Sequence, residues 1–119
     1  MNRRKTGAEK ERLAEAFLEK HGVRILARNY RIRVGEIDLI GQKEGVLIFF
    51  EVKYRRAPDC GFPEEAVNAV KQRTICRVSD YYRTTVHHGC HMVRYDVVAI
   101  LGNDIHWIKN AFAYQGSGW

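Results

Sequence analysis

The sequence predicts an α/β domain built from about five strands and two helices. An amphipathic helical pattern stands near the N-terminus. Short apolar segments separated by turn residues then predict strands, and a second, longer helical pattern interrupts them after the third. With 119 residues, the chain has the size of one domain, so residues 1–119 are treated as a single unit.

The first predicted element is a helix over about residues 7–21. Thr6 and Glu9 have the spacing of a capping box, and Gly22 is a suitable helix stop. Residues 1–5 precede it as a short basic arm that we expect to be flexible.

Three strands are predicted next, over residues 23–32 and within the hairpin 35–56. The hairpin turn is expected at Glu44 and Gly45. The continuous apolar run VLIFF, residues 46–50, indicates a strand that is covered on both faces.

The second predicted helix begins near Phe62-Pro63 and continues to about Thr85, since proline suits a first helical turn. Its expected inner face is Val67, Val70, Thr74, Val78 and Tyr81, with Ile75 and Tyr82 beside it. Strands over 92–100 and 105–108 follow. The small and polar tail, 113–119, is expected to be flexible.

The charge and cysteine content restrict partners and location. Lysine and arginine number 20 and aspartate and glutamate 14, a net charge of +6 that favours an anionic partner such as nucleic acid. The three cysteines form no CxxC pair, which is typical of a reducing compartment. No signal peptide is evident, and no apolar run approaches the roughly 20 residues that span a bilayer. We therefore predict a cytoplasmic protein without a membrane partner.

The predicted hairpin carries charges at one end of an otherwise apolar strand. A turn at Glu44-Gly45 places Asp38 opposite Glu51 and Glu36 opposite Lys53. Strict alternation then puts Glu36, Asp38 and Ile40 on one face of the sheet, with Ile37 and Leu39 on the other.

Two interpretations of these charges stand side by side. In the first, Asp38 and Glu51 share one Mg²⁺, which prefers oxygen ligands, while Lys53 stabilises developing charge. Arg55 and Arg56 would then hold neighbouring phosphates. In the second, Glu36 and Lys53 form a cross-strand ion pair, and the two acids are simply solvated at the sheet edge.

Three further features carry weaker signals. Glu11 lies on the edge of the buried stripe of the first helix, where an ordinary flanking charge is also common. Asp96 is predicted to form an ion pair with a neighbour, because it lies two residues from Arg94 on one strand. The segment 87–91, HHGCH, is interpreted as a polar turn because zinc sites usually combine ligand pairs from separate segments.

Several motifs resemble the YraN/UPF0102 family of small bacterial proteins and, through it, the PD-(D/E)xK nucleases, including archaeal Holliday-junction resolvases. In chain order they are Gly7…Glu11…Ala14, Ala27-Arg28-Asn29-Tyr30-Arg31, Gly35-Glu36-Ile37-Asp38-Leu39-Ile40, Phe50-Glu51-Val52-Lys53-Tyr54-Arg55, Phe62-Pro63…Ala66-Val67…Lys71, Arg94-Tyr95-Asp96-Val97-Val98 and Trp107…Asn110-Ala111-Phe112. They cover nearly the whole chain. Ile37 stands where the name of the nuclease motif has proline.

This resemblance implies a restriction-endonuclease-like fold, a mixed sheet flanked by helices. It assigns Asp38 and Glu51 to binding of Mg²⁺ or Mn²⁺ and, with Lys53, to catalysis. By the resolvase pattern, Glu11 joins the metal site. The implied activity is hydrolysis of phosphodiester bonds in DNA, with branched DNA as a candidate substrate.

The same resemblance, together with the basic charge, leads us to assign Arg31, Arg55, Arg56 and Lys71 to contact with nucleic acid. For Lys71 the alternatives are a phosphate contact and support of the site residues. A homodimer would suit the cutting of two strands, as in the related resolvases, although the sequence itself marks no interface. The alternative function is a non-catalytic nucleic-acid-binding module that keeps the nuclease fold.

Overall fold

The computed structural model describes residues 3–55, 67–86 and 89–115. Seven helices and strands follow one another along the described chain: α1 (Arg3–Lys20), β1 (Arg24–Ile32), β2 (Gly35–Lys43), β3 (Val46–Arg55), α2 (Ala69–Thr85), β4 (Met92–Leu101) and β5 (Asp104–Phe112).

The five strands form one mixed sheet in the order β1-β2-β3-β4-β5. Strands β3 and β4 run parallel, and the other neighbouring pairs are antiparallel. The parallel pair requires a crossover connection, and α2 lies within it. The predicted α/β class, with a mixed sheet of five strands flanked by helices, is confirmed.

The two helices cover opposite faces of the sheet. Ala14 and Leu18 of α1 pack with Leu39, Ile48 and Phe50 on one face. The other face packs against the buried side of α2, which comprises Ile75, Cys76, Val78, Ser79 and Tyr82. Successive residues of β3 alternate between the two clusters, so VLIFF is covered on both faces as predicted.

The helix boundaries differ from the predictions. α1 begins at Arg3, so Arg3–Lys5 of the expected basic arm are helical and Thr6 lies inside the helix instead of capping it. The described part of α2 begins at Ala69, where the side chain of Asn68 accepts a hydrogen bond from the N–H of Lys71. A continuous helix from Phe62 to Thr85 is therefore wrong, and the proposed start at 62–65 lies outside the described residues.

The predicted inner face of α2 is wrong at two positions. Val70 and Tyr81 are 64% and 51% exposed. The helix is rotated so that Ile75, Cys76 and Ser79 face the sheet, because docking on the sheet selects among several partly apolar faces. Strand β5 is also longer than the predicted 105–108 and extends to Phe112.

The start of the predicted tail contacts α2. The hydroxyl of Tyr114 donates to Asp80, and the N–H of Gln115 donates to the sulfur of Cys76. Residues 116–119 lie outside the described part of the chain. Within that part, neither helix combines the length and the apolar character needed to cross a membrane.

Candidate active site

A tight hairpin turn sets the register of β2 and β3. Glu44 and Gly45 both have positive φ, 52° and 79°, as a two-residue hairpin turn requires. The backbone ladder pairs Lys43 with Val46 and continues to Leu39 with Phe50. The predicted turn and register are confirmed over this length.

The ladder departs from the prediction at Asp38. The backbone N–H of Val52 donates to Oδ2 of Asp38 at 2.8 Å, so a side chain takes the place of a backbone partner. The expected alternation breaks at the same point, because Ile37 packs with Ile40 on the α2 face while Leu39 packs on the α1 face. The prediction that Ile37 and Leu39 share a face is therefore wrong.

Glu51 is the most buried acid of the hairpin, with 6% of its surface exposed. Its Oε1 atom lies 3.6 Å from Nζ of Lys53 and 3.8 Å from Nζ of Lys71. Lys53 is two residues further along β3 and on the same side, whereas Lys71 comes from the first turn of α2. The predicted pairing of Glu36 with Lys53 is replaced by this arrangement, and Glu36 lies opposite Arg31 of β1.

The pKa values of the two acids are raised. Burial is the largest cause for Asp38, and the nearby charges of Glu51 and Glu11 add to it. The Val52 N–H and Lys71 act in the opposite direction, and the resulting pKa of Asp38 is about 7. Burial also raises the pKa of Glu51, although Lys71 and Lys53 oppose the rise. Two desolvated carboxylates that repel each other thus lie on the neighbouring strands β2 and β3.

Glu11 approaches this pair from α1. It is half-buried, lies one turn before the buried Ala14, and is near enough for its charge to raise the pKa of Asp38. Its Oε1 atom accepts a hydrogen bond of 2.8 Å from Nδ2 of Asn29 in β1. A groove of about 460 Å³ between α1 and β1 is lined by both residues and by Leu39.

The residues assigned to nucleic-acid contact differ in their exposure and in their contacts. Arg31 is exposed on β1. Arg55 is half-buried at the end of β3, and its Nη1 donates to the carbonyl of Tyr54 at 3.0 Å. Arg56 lies outside the described residues. The ammonium group of Lys71 lies 3.8 Å from Oε1 of Glu51, and 40% of the Lys71 side chain is exposed.

Asp96 has a different role from the site acids. It is fully buried and accepts four hydrogen bonds of 2.8–2.9 Å, two from the guanidinium of Arg94, one from the indole of Trp107 and one from the backbone N–H of Asn110. The predicted ion pair with a neighbour is confirmed. These bonds hold the irregular segment of β5 that lies between the pairs Tyr95–Phe112 and Val97–Ile108.

The donor atoms fit one small divalent cation only in part. Asp38 and Glu51 supply carboxylate oxygens, the ligands that Mg²⁺ prefers. Across the described residues, however, no three side chains from His, Cys, Asp and Glu converge closely enough to hold a metal ion as they stand. Oε1 of Glu51 faces the ammonium groups of two lysines, so the Glu51 carboxylate would have to adjust around the ion.

The family model of the uncharacterised protein family UPF0102 matches residues 10–100. The chain belongs to the UPF0102 family. The matched range contains Glu11, Asn29, Asp38, Glu51 and Lys71.

Similar UPF0102 proteins extend over nearly the full chain. A protein from Lachnoclostridium phytofermentans is 46% identical over 121 residues, which covers 98% of this chain and 100% of that protein. One from Caldicellulosiruptor saccharolyticus is 41% identical, with coverage of 94% and 100%. A third, from Dictyoglomus thermophilum, is 39% identical with the same coverage.

Asn29, which contacts Glu11, was not among the site residues predicted from the sequence of this UPF0102 protein. The available signal was an asparagine in the middle of a predicted strand, where asparagine is disfavoured. Such a residue often marks a left-handed backbone conformation, and Asn29 has φ of 48°. The bond between Asp38 and the Val52 N–H left no comparable signal, because it depends on where the ladder ends.

Proposed function

We propose that the protein is a Mg²⁺- or Mn²⁺-dependent nuclease that hydrolyses phosphodiester bonds in DNA, with branched DNA as the candidate substrate. One observation carries the proposal: Asp38 and Glu51 are two desolvated acids with raised pKa values, and the ammonium group of Lys53 lies 3.6 Å from Oε1 of Glu51. Perturbed acids of this kind concentrate at functional sites. The resemblance to PD-(D/E)xK nucleases supports the same assignment.

In this proposal Asp38 and Glu51 hold the ion, and Glu11 is the third carboxylate. A divalent ion supplies Lewis-acid stabilisation of charge on a phosphoryl group. Lys53 adds positive charge on the same side of β3 as Glu51, where charge develops on the phosphate during hydrolysis. Burial of Glu51 strengthens each of these electrostatic interactions because it excludes water.

DNA contact is assigned to the basic residues around this end of the sheet. Arg31 is exposed, and Arg55 follows Lys53 on β3. Arg56 and Lys71 complete the assignment. The net charge of +6 favours association with a phosphate backbone. A DNA substrate also agrees with the cytoplasmic location that the composition predicts, and a homodimer would present two sites to two strands.

A second candidate is a nucleic-acid-binding module without turnover. The observation that favours it is that Oε1 of Glu51 already faces two ammonium groups, those of Lys53 and Lys71. In that case Lys53 and Lys71 would neutralise Glu51 permanently. DNA binding would depend on salt, and divalent ions would have no specific site.

Metal titration followed by cleavage assays separates the two candidates. The nuclease should bind Mn²⁺ in calorimetry and cut at least one of linear, nicked, flapped or four-way DNA with Mg²⁺ or Mn²⁺. Asp38→Asn should lose both properties, and Lys53→Met should lose cleavage. Glu44→Gln is the matched control, because it removes an exposed acid at the turn end of the same hairpin.

The outcomes are distinct. DNA binding without Mn²⁺ uptake in the wild type supports the binding module. Equal inertness of the wild type and Asp38→Asn on all four substrates, despite Mn²⁺ binding, contradicts the nuclease on DNA. Sedimentation of the wild type with and without four-way DNA reports whether a dimer forms.

A further inference from the structure

Asn29 has an unusual backbone for a residue inside a strand. Over the described ranges, three non-glycine residues have positive φ: Asn29, Glu44 and Asn110. Glu44 belongs to the hairpin turn, and Asn110 lies in the irregular segment of β5. Asn29 instead lies between two regular pairs of β1 and β2, Arg28 with Leu39 and Tyr30 with Ile37. Its position along β1 corresponds to that of Asp38 along β2.

The left-handed conformation changes where the side chains of β1 point. Successive residues of a regular strand face opposite sides of the sheet. Here Arg28 and Asn29 both reach α1, because Arg28 donates to Glu15 at 2.5 Å and Asn29 donates to Glu11 at 2.8 Å. Two neighbouring residues of β1 therefore hold two acids that are one helical turn apart.

These two acids receive different partners. Glu15 accepts hydrogen bonds from both Nε and Nη2 of the Arg28 guanidinium, whose positive charge neutralises it. Glu11 accepts a hydrogen bond from the neutral amide of Asn29, so this contact sets no positive charge against its own. The donor to Glu11, Asn29, lies at the position of β1 that corresponds to Asp38 on β2. A neutral donor fixes the direction of a carboxylate and brings no positive charge. A metal ion could therefore bind that carboxylate without displacing another cation.

We propose that Asn29 is a positioning residue that holds Glu11 beside Asp38 as the third carboxylate of a divalent-metal site. The left-handed backbone of Asn29 is what turns its amide toward α1. This inference rests on the proposed function and deepens it, because it explains how an acid on α1 is directed to a site built on β2 and β3.

Asn29→Gly is the sharpest test, because glycine keeps the left-handed backbone without strain and removes only the amide. We expect Mn²⁺ affinity in calorimetry to fall about 10- to 100-fold, as is typical when the partner of a metal ligand is removed. Asn110→Gly is the matched control, since it makes the same change at a left-handed asparagine of β5. Its Mn²⁺ affinity should equal that of the wild type.

A double-mutant cycle shows whether Asn29 acts through Glu11. In the Glu11→Gln background, Asn29→Gly should cause no further loss of Mn²⁺ affinity. Additive losses would overturn the inference, because Asn29 would then act on the site by another route. With saturating metal, Asn29→Gly should lower kcat for DNA cleavage without changing the affinity for DNA.

Failure of the inference is distinguishable from failure of the proposed function. If the wild type binds Mn²⁺ and Asn29→Gly binds it equally well, the positioning role is overturned and the nuclease proposal stands. If the wild type binds no Mn²⁺, both are overturned. Asn29→Ser, which also removes the amide, is the second variant. If neither variant folds, the amide has a structural role and the inference is overturned.

Discussion

The backbone N–H of Val52 donates to the carboxylate of Asp38 across a distance of 2.8 Å. The bond lies just beyond Leu39–Phe50, the last backbone pair of the β2–β3 ladder. It fixes the direction of the Asp38 carboxylate and favours its charged form, but burial and the charge of Glu51 outweigh it. Asp38 is therefore both well oriented and energetically unfavourable as an anion, a combination that a bound cation would relieve.

The raised pKa of Asp38 predicts that stability without metal decreases as pH rises. Its ordinary value is 3.8 and its value in the fold is about 7, so the folded state holds the proton more tightly than the unfolded chain. The stability that the fold gains by holding this proton is fully present below pH 4 and is lost progressively up to about pH 7. Each pKa unit corresponds to about 1.4 kcal/mol. The raised pKa of Glu51 acts in the same direction.

Asp38→Asn should remove this pH dependence and keep an acceptor for the Val52 N–H. With a chelator present to remove metal ions, we expect the stability of the variant relative to the wild type to increase between pH 4 and 7. Above pH 7 the difference should stay constant. Urea unfolding at several pH values measures the difference. The Glu44→Gln control should follow the wild type, and a difference for Asp38→Asn that is flat from pH 4 to 8 would contradict the prediction.

Lys71 should compete with a metal ion for Glu51. Its ammonium lies 3.8 Å from Oε1, and 40% of its side chain is exposed, so the ion pair contributes about 1 kcal/mol or less. Lys71→Met should fold normally and bind Mn²⁺ about 3- to 5-fold more tightly in calorimetry, because a positive charge has left the site. The same variant should bind DNA more weakly, with a smaller salt dependence.

Lys20→Met is a suitable control for Lys71→Met, since Lys20 is exposed at the end of α1. It should leave Mn²⁺ affinity unchanged. Weaker Mn²⁺ binding in Lys71→Met would show that Lys71 organises the site instead of competing for Glu51.

The sequence predicted the hairpin well because its register depends on local chemistry. Glu44-Gly45 is a turn signal, and the apolar run after it marks a central strand. These two features brought Asp38 and Glu51 to one end of the sheet. They did not reveal the break in alternation at Asp38, because a bond between a side chain and the backbone there replaces the regular ladder.

The predictions for α2 were less successful because the helix carries apolar residues on more than one side. Val70 and Tyr81 are apolar, yet they face outward, while Ser79 is fully buried and shares a hydrogen bond of 2.7 Å with Tyr95. Helical periodicity alone does not show which face docks. Contact with the sheet decides this, and that contact depends on residues far away in the chain.

Loss of Asp96 should destabilise the fold without affecting the site. Asp96→Ala leaves the guanidinium of Arg94, the indole N–H of Trp107 and the N–H of Asn110 without their shared acceptor. Removing one partner of a buried ion pair costs about 3–5 kcal/mol, so we expect a decrease in Tm of more than about 10 °C.

Two measurements on Asp96→Ala separate a structural from a site role. Amide hydrogen exchange should accelerate at Asn110 and its neighbours in β5. At a temperature where the variant is folded, its Mn²⁺ affinity should match that of the wild type. Asp104→Ala, which removes an exposed acid at the start of β5, is the control for stability. A loss of metal affinity in folded Asp96→Ala would contradict this assignment.

The start of β2 packs closely against α2 at Gly35. A Cβ atom at position 35 would lie 2.4 Å from Cγ2 of Thr74 and 3.3 Å from Cγ2 of Val78. Gly35→Ala should therefore lower the free energy of unfolding by about 1–3 kcal/mol through overpacking.

Thr74→Ser removes the obstructing methyl group and keeps the hydroxyl that donates to the carbonyl of Val70. The double variant should recover most of the lost stability, and urea unfolding of all four proteins measures this coupling. Additive losses in the double variant would show that the Thr74 methyl group is not what excludes a side chain at position 35.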